Sequence, residues 1–179
     1  PAVWTGLFSR VAVAATFLLV VAGGLVTSSE AGLAVVDWPN TFGTNMFLFP
    51  LSRMTGGIYY EHAHRLFGAL VGLTTIGLAI RLWRRDDRGW IRRLATVAVG
   101  LVIVQGVLGG LRVTGGFTLS TSEADMAPSL TLALMHGVLG QLFLGVMVAI
   151  AVVTSRLWSD APAPESRPTA KDDRTFQRW

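Results

Sequence analysis

The chain contains no cysteine, and this absence excludes several classes of protein. No disulfide, zinc–thiolate site or thiol nucleophile can form within its 179 residues. Charge is also scarce, since Asp, Glu, Lys and Arg together make up 15% of the chain. The basic residues do not form the kind of patch that binds nucleic acid, so we expect no nucleic-acid partner.

Apolar residues are abundant instead. They make up 51% of the chain and occur in long continuous runs, which is too apolar for an ordinary soluble domain. Four runs reach the roughly 20 residues that a membrane-spanning helix needs, near 7–26, 58–83, 91–113 and 129–158. We therefore predict an all-α membrane protein, an antiparallel four-helix transmembrane bundle over residues 1–158. Residues 159–179 are predicted to be a polar cytoplasmic linker or tail.

The distribution of basic residues predicts an orientation. Arg10, the arginine-rich link 84–93 and the basic residues of the tail fall on one side of the membrane if the four helices alternate. The opposite loops, 27–57 and 114–128, contain Arg53 as their one basic residue. The positive-inside rule then places both termini in the cytoplasm and the chain in the cell (inner) membrane as a multi-pass protein.

The first outer loop is long enough to act as a lid. Its segment 37–40, DWPN, is a turn signal, and the apolar stretch 46–51 is expected to lie in the membrane interface or to cap the bundle. In the second outer loop, Pro128 suits the start of the fourth helix.

A faint internal repeat relates helices one and two to helices three and four. The first helix ends in AGGLVT at 22–27, and the third ends in LGGLRVT at 108–114. His64 in the second helix and His136 in the fourth are each followed by glycine four residues later. A parallel repeat implies a two-fold axis along the membrane normal, which makes the two histidines equivalent positions that face each other. The glycine doublets themselves are interpreted mainly as helix-packing residues.

The paired histidines predict a haem site. His64 and His136 should lie at one depth, about 10 Å below the outer surface, and two imidazoles suit the two axial positions of a haem iron. A glycine beside each ligand leaves space for a porphyrin plane, and Arg65 and Arg112 are placed to meet haem propionates. A lone membrane histidine is often only a hydrogen-bonding group between helices, but a matched pair favours the haem interpretation.

Glu61 distinguishes catalysis from simple electron carriage. It lies three residues before His64 on the same helix face, and Gly68 and Gly72 continue that face. A carboxylate one turn from an axial ligand can exchange protons with a bound substrate. His62 points elsewhere and is expected at the interface or beside the site. For Gln105 in the third helix, an interhelical hydrogen bond and a pocket contact both remain open.

These residues resemble a known family. The segments GGLVT at 23–27, DWP at 37–39, EHAHR at 61–65 and QGVLGG at 105–110, with the later His136, are similar to haem A synthase. The resemblance implies eight helices in two pseudo-symmetric four-helix halves. This chain matches the N-terminal, catalytic half, which oxidises the C8 methyl of haem O to a formyl group and so makes haem A for terminal oxidases.

The resemblance also implies residue roles and partners. Glu61 corresponds to the family's essential acidic residue, and His64 and His136 correspond to its haem-iron ligand pair. We expect a fragment whose missing C-terminal half, or a second subunit in its place, binds haem b. The further expected partners are haem O, membrane lipid, haem O synthase and an electron acceptor. Two alternatives remain, a membrane cytochrome b-type electron relay and a non-catalytic haem-handling subunit.

Overall fold

The computed structural model describes residues 2–114 and 130–159. The described chain is mainly helical, with one small hairpin and a short 3-10 turn at Leu51–Arg53. Its elements are α1 (Ala2–Ser28), β1 (Asn40–Thr41), β2 (Thr44–Asn45), α2 (Gly56–Arg85), α3 (Gly89–Thr114), α4 (Leu130–Val153) and α5 (Arg156–Ser159).

Four of these helices are long and apolar enough to cross a membrane. They are α1 to α4, and each carries a continuous apolar run with little charge. A helix pairs its backbone N–H and C=O groups within itself, and a chain that crosses lipid requires this because no water is there to bond them. The predictions of an all-α chain with four spanning helices and of a multi-pass membrane protein are therefore confirmed.

The four long helices form a closed ring. Helix α1 packs on α2, α2 on α3, α3 on α4, and α4 back on α1. Helices α2 and α4 are therefore diagonal partners, and their inward-facing side chains meet at the centre of the bundle. This arrangement brings residues from distant parts of the sequence together on the bundle axis.

The tightly packed core lies towards the end of the bundle where α2 connects to α3. Its largest fully buried side chains include Leu78, Leu82, Ile91, Met147 and Ile150. Because lipid is as apolar as leucine, such contacts stabilise a membrane bundle by close packing rather than by exclusion of water. We call this the inner end, and the opposite end, which carries the loop 29–55, the outer end.

The arginine-rich link at the inner end is a hydrogen-bonded turn. The Asp86 carboxylate accepts bonds from the backbone and side chain of Arg88, whose guanidinium holds the pKa of Asp86 below its ordinary value. Arg88 also donates to the carbonyl of Val153, and Arg92 donates to the carbonyl of Asp86. The link therefore joins α2, α3 and the end of α4, in addition to any topological role.

The fourth predicted helix, 129–158, is interrupted in the structure. Helix α4 ends at Val153, and a turn at Thr154 and Ser155 separates it from the four-residue α5. The two hydroxyls donate to carbonyls of the last turn, Thr154 to Ile150 and Ser155 to Val152. Such local bonds compete with continuation of the helix.

Two predicted regions lie outside the described residues. One is the second outer loop with the predicted helix start at Pro128, and the other is the tail beyond residue 159.

Candidate functional site

The first outer loop carries an ordered hairpin at the outer end. Its turn residues Phe42 and Gly43 both have positive φ, 49° and 73°, as a type I′ turn requires. Their N–H groups donate to the two carboxylate oxygens of Asp37 at 2.9 and 2.8 Å. Burial is the largest single influence on the pKa of Asp37 and raises it, but these amide bonds and the Arg65 charge together bring it below its ordinary value.

Arg65 fastens this loop to α2. It donates to the carbonyls of Val35 (2.5 Å), Asp37 (2.6 Å) and Asn40 (3.1 Å), and to the Glu61 carboxylate at 2.6 Å. Four of its five N–H groups are thereby used. Its side chain is 9% exposed and that of Glu61 is 5% exposed, so the ion pair is buried.

Glu61 and His62 complete the attachment. The second carboxylate oxygen of Glu61 accepts the N–H of Val35 at 2.9 Å. His62 is 1% exposed, shares a hydrogen bond of 3.0 Å between its Nδ1 and the Thr41 hydroxyl, and packs on Phe49. We call Glu61, His62 and Arg65 the loop clamp. The sequence predicts His62 at the interface or beside the site, whereas the structure buries it and ties it to the loop.

Two histidines meet at the centre of the outer half. The ring centroids of His64 on α2 and His136 on α4 are 6.5 Å apart, with an angle of 82° between the rings. Each imidazole lies against a glycine of a neighbouring helix. A Cβ at Gly23 would lie 3.1 Å from His64 Cε1, and one at Gly109 would lie 3.4 Å from His136 Cε1.

The glycine doublets therefore do more than pack helix against helix. Besides the imidazoles at Gly23 and Gly109, the Trp38 indole of the outer loop lies on Gly110, where a Cβ would approach the ring to 2.6 Å. The glycines predicted to make space beside the ligands behave differently. A Cβ at Gly68 or Gly72 would meet no described atom within 4 Å. The signal in the sequence was the doublet itself, placed alike in α1 and α3.

Four buried nitrogens in the described part of the chain lack a hydrogen-bond partner, and all belong to this region. They are His64 Nδ1, Gln105 Nε2, Arg112 Nε and His136 Nδ1. The charge of Arg112 acts on both imidazoles. We call these four residues the histidine chamber. Buried polar groups are normally satisfied, so a cluster of unsatisfied ones marks a candidate ligand-binding site.

Backbone carbonyls stand beside both imidazoles. The carbonyl of Leu19 interacts with His64 and that of Gln105 with His136, although neither Nδ1 makes a bond of regular geometry. A metal-bound histidine commonly donates its second ring N–H to such a carbonyl, which fixes the ring. Within residues 2–114 and 130–159 no three His, Asp or Glu side chains gather as a metal cage. Two surface clefts at the inner end are lined by other described residues and include none of the chamber residues.

The structure thus separates residues that the sequence treats alike. Arg65 and Arg112 are both predicted to meet propionates, but Arg65 is occupied in the loop clamp. Arg112 makes no ion pair with any described residue and packs against Gly32, where a Cβ would lie 2.8 Å from its Nη2. Glu61, predicted to face the substrate beside His64, has both carboxylate oxygens engaged by the clamp.

Comparison with known proteins identifies the family. A profile of the cytochrome oxidase assembly protein family, COX15-CtaA, matches residues 6–178, nearly the whole chain. The chain belongs to the COX15-CtaA family. The predicted membership of the haem A synthase family is thereby confirmed, because several haem A synthases also match.

The relatives carry two different names. The haem A synthases of Rhodopseudomonas palustris and Bradyrhizobium sp. are 26% and 30% identical over 78% and 66% of this chain. A protohaem IX farnesyltransferase of Haloarcula marismortui is 29% identical over 93% of it. The chain spans 44%, 40% and 32% of the length of these three relatives, respectively. No solved structure matches the chain.

Proposed function

We propose that this chain is the catalytic half of a haem A synthase, which binds haem O and oxidises its C8 methyl group to a formyl group, giving haem A for terminal oxidases. One observation carries the proposal. Two imidazoles from diagonal helices have ring centroids 6.5 Å apart at the bundle centre, and the four buried nitrogens without a partner in the described chain are their own Nδ1 atoms with Gln105 Nε2 and Arg112 Nε. Family membership supports a role in haem A biosynthesis.

The donor set fits a haem better than a free metal ion. A protein zinc site usually needs four ligands, whereas the chamber offers two imidazoles without a third acidic or imidazole group among the described residues. A porphyrin brings four nitrogens of its own and leaves two axial positions open. Two metal–nitrogen bonds of about 2 Å each, with the radii of two imidazole rings, span roughly 6 Å, close to the observed separation of the ring centroids.

Within this proposal His64 and His136 hold the iron of haem O, and the bound iron supplies redox chemistry next to the porphyrin edge. Conversion of a methyl group and water to a formyl group releases four protons and four electrons. The electrons leave to an external acceptor. Glu61, whose carboxylate the structure holds in an ion pair with Arg65, would receive protons at its carboxylate oxygens.

The two arginines take different parts in this mechanism. Arg112, whose Nε has no partner in the described chain, binds a propionate of the substrate. Arg65 was the second propionate candidate, but four of its donors hold the loop and Glu61. It therefore acts on the substrate through the loop, which closes the outer mouth of the chamber.

The wider architecture belongs to the same proposal. His64 on Gly23 and His136 on Gly109 support an internal two-helix repeat with a two-fold axis. A C-terminal half or a second subunit that binds haem b would complete an eight-helix protein, which agrees with the share of its relatives that the chain spans. Residues 1–158 then form the membrane domain and 159–179 a cytoplasmic tail. Both termini then lie in the cytoplasm, and the chain is a multi-pass protein of the cell (inner) membrane.

Haem O synthase is the proposed supplier of substrate. Relatives named protohaem IX farnesyltransferase match 93% and 88% of this chain, although the chain covers only 32% and 33% of them. A segment similar in sequence to this chain therefore lies within proteins that carry that second name. We propose that the chain receives haem O directly from a partner of this kind, with surrounding lipid as the route of entry.

The decisive experiment identifies the haem that the protein carries. The chain is purified alone and with a C-terminal half supplied, and the extracted haem is analysed by mass spectrometry and by its pyridine haemochrome spectrum. Haem O or haem A is the expected result, and the His64→Ala and His136→Ala variants should lose it. Stoichiometric haem b alone would favour the electron-relay or haem-handling alternative. A folded protein without any haem would contradict the site.

Glu61 has a test of its own. Glu61→Gln should still bind haem O but make no formyl product, and normal product from this variant would refute its role. Because Glu61 also belongs to the loop clamp, Arg65→Gln is the matched comparison, since it breaks the same ion pair and keeps the carboxylate. Product from Arg65→Gln together with none from Glu61→Gln assigns the proton chemistry to Glu61 itself.

A further inference from the structure

Helix α3 carries two of the four buried nitrogens that have no partner in the described chain, Gln105 Nε2 and Arg112 Nε. The residues are seven positions apart, about 10 Å along a helix axis, and this spacing places them on one helix face. One is a charged donor near the outer end of α3, and the other is a neutral donor two turns deeper. Together they can donate hydrogen bonds to two different groups on a single ligand.

Gln105 is placed in the chamber beneath His136. Its own carbonyl interacts with the His136 imidazole, and its side-chain oxygen would lie 3.9 Å from a Cβ at Gly140 of α4. It stands four residues before Gly109, as Leu19 stands four residues before Gly23 on α1. At this level the chamber therefore has an amide donor on the α3 side and an aliphatic side chain on the α1 side. The two sides differ chemically although the imidazoles are arranged alike.

A buried amide without a partner is costly in a membrane, where no bulk water can satisfy it. A leucine in its place would remove that cost. The chemistry of Gln105 therefore matters most when a ligand presents an oxygen to it. Because the propionates are charged, they are expected near Arg112 at the outer end, which leaves a neutral oxygen as the partner for the deeper Gln105.

We propose that Gln105 selects the substrate by donating a hydrogen bond from Nε2 to the hydroxyl group on the alkyl side chain of haem O, while Arg112 binds the propionate edge. This inference rests on the proposed function of the chamber. Haem O carries a hydroxylated farnesyl side chain where haem b has a vinyl group, which accepts no such bond. That side chain lies across the macrocycle from the propionates, as the spacing of Arg112 and Gln105 requires.

The consequence is selectivity between two otherwise similar haems. A site built to hydrogen-bond a hydroxyl discriminates against an analogue that lacks it, because the donor is then left unsatisfied. One such bond corresponds to a preference of about tenfold. Arg112 contributes no selectivity, because both haems carry the same propionates.

The test is a pair of binding titrations on the full chain in detergent, with haem O and with haem b, followed by the absorption of the bound haem. The wild-type chain should bind haem O about tenfold more tightly than haem b. Gln105→Leu should bring the ratio close to one while haem b affinity is kept. Arg112→Gln should weaken both haems by the same factor and leave the ratio unchanged. Gln105→Met serves as a second apolar variant.

The outcomes separate this inference from the proposed function. An unchanged preference for haem O in both Gln105 variants overturns the inference, and so does a wild-type chain that binds the two haems equally; in both cases the histidine site stands. Failure of the folded wild-type chain to bind either haem overturns both proposals. Retained haem b binding in the Gln105 variants shows that they are folded, so a lost preference then supports the inference.

Discussion

The loop clamp and the histidine chamber are neighbours on α2, yet they satisfy their polar groups in opposite ways. In the clamp, both oxygens of Glu61, four donors of Arg65 and Nδ1 of His62 have partners. In the chamber, the Nδ1 of His64, two residues after His62, has no hydrogen-bond partner in the described chain. The same is true of one buried nitrogen in each of the other chamber residues, Gln105, Arg112 and His136. The polar groups of the clamp therefore find their hydrogen-bond partners within the protein, whereas those buried nitrogens of the chamber do not.

This difference separates stability from function. A satisfied buried network holds a fold together, so its loss costs the fold directly. An unsatisfied one lowers the stability of the free protein and is retained where a ligand completes it. Substitutions in the clamp should therefore lower the free energy of unfolding, whereas substitutions in the chamber should mainly remove binding. The following predictions test that division, from the largest expected effect to the smallest.

Arg65→Ala should be the most destabilising change. It leaves the buried Glu61 carboxylate without its cation and three loop carbonyls without a donor. Breaking a buried ion pair in this way costs about 3–5 kcal/mol. Chemical unfolding in detergent measures the loss, and limited proteolysis should show cleavage within the loop 29–55. Arg53→Ala, at an exposed position of the same loop, is the control and should be close to wild type.

His62→Ala and His64→Ala should have opposite phenotypes. The first removes a fully buried ring with its hydrogen bond to Thr41 and its packing on Phe49, and we expect a loss of about 2–4 kcal/mol in the free energy of unfolding. The second removes an unpartnered nitrogen, so stability should change by about 1 kcal/mol or less, while haem binding is lost. Unfolding curves and haem titrations on both variants test this. Equal destabilisation by the two changes would contradict the division.

Gly110→Ala should weaken the attachment of the outer loop to α3, where the Trp38 indole packs on Gly110. A Cβ at this position would lie 2.6 Å from the Trp38 indole, so the ring must move. Overpacking of this kind costs about 1–3 kcal/mol, which thermal unfolding in detergent can measure. Gly106→Ala is one turn away, and a Cβ there would meet no described atom within 4 Å apart from the nearby backbone of its own helix. This variant should be neutral or stabilising because alanine favours helix. If the two variants behave alike, Trp38 does not anchor the loop.

The sequence predicts the bundle well because its signal is local. Four apolar runs define four spanning helices, and the observed ends of α1, α2 and α3 extend beyond the predicted ones by at most five residues, at the start of α1. The break after Val153 was missed, since Thr154 and Ser155 stop the helix through their hydroxyls within a run that is otherwise apolar. Patterns of hydropathy do not register such side-chain competition.

The site was less accessible to prediction because its contacts are not local. The position of His64 and His136 in matching segments suggests that they face each other, and the structure places their rings 6.5 Å apart. The partners of Arg65, however, are backbone carbonyls 25 to 30 residues earlier in the chain. A carbonyl belongs to every residue and leaves no mark in the sequence, so Arg65 and Arg112 looked equivalent until the loop was placed.

Asp37 gives the smallest predicted effect, through pH. Its carboxylate accepts the two amide bonds of the hairpin turn, and its pKa lies below the ordinary value of 3.8 because these bonds, with Arg65, outweigh the opposing effect of burial. A depressed pKa in the folded state contributes stability that is present above pH 3.8 and is lost as pH falls through the lower folded-state value. The unfolding temperature of wild type should therefore fall more steeply below pH 4 than that of Asp37→Asn, which has no carboxylate to titrate. Parallel profiles would mean that the turn does not depend on the charge, and that the clamp alone holds the loop over the chamber.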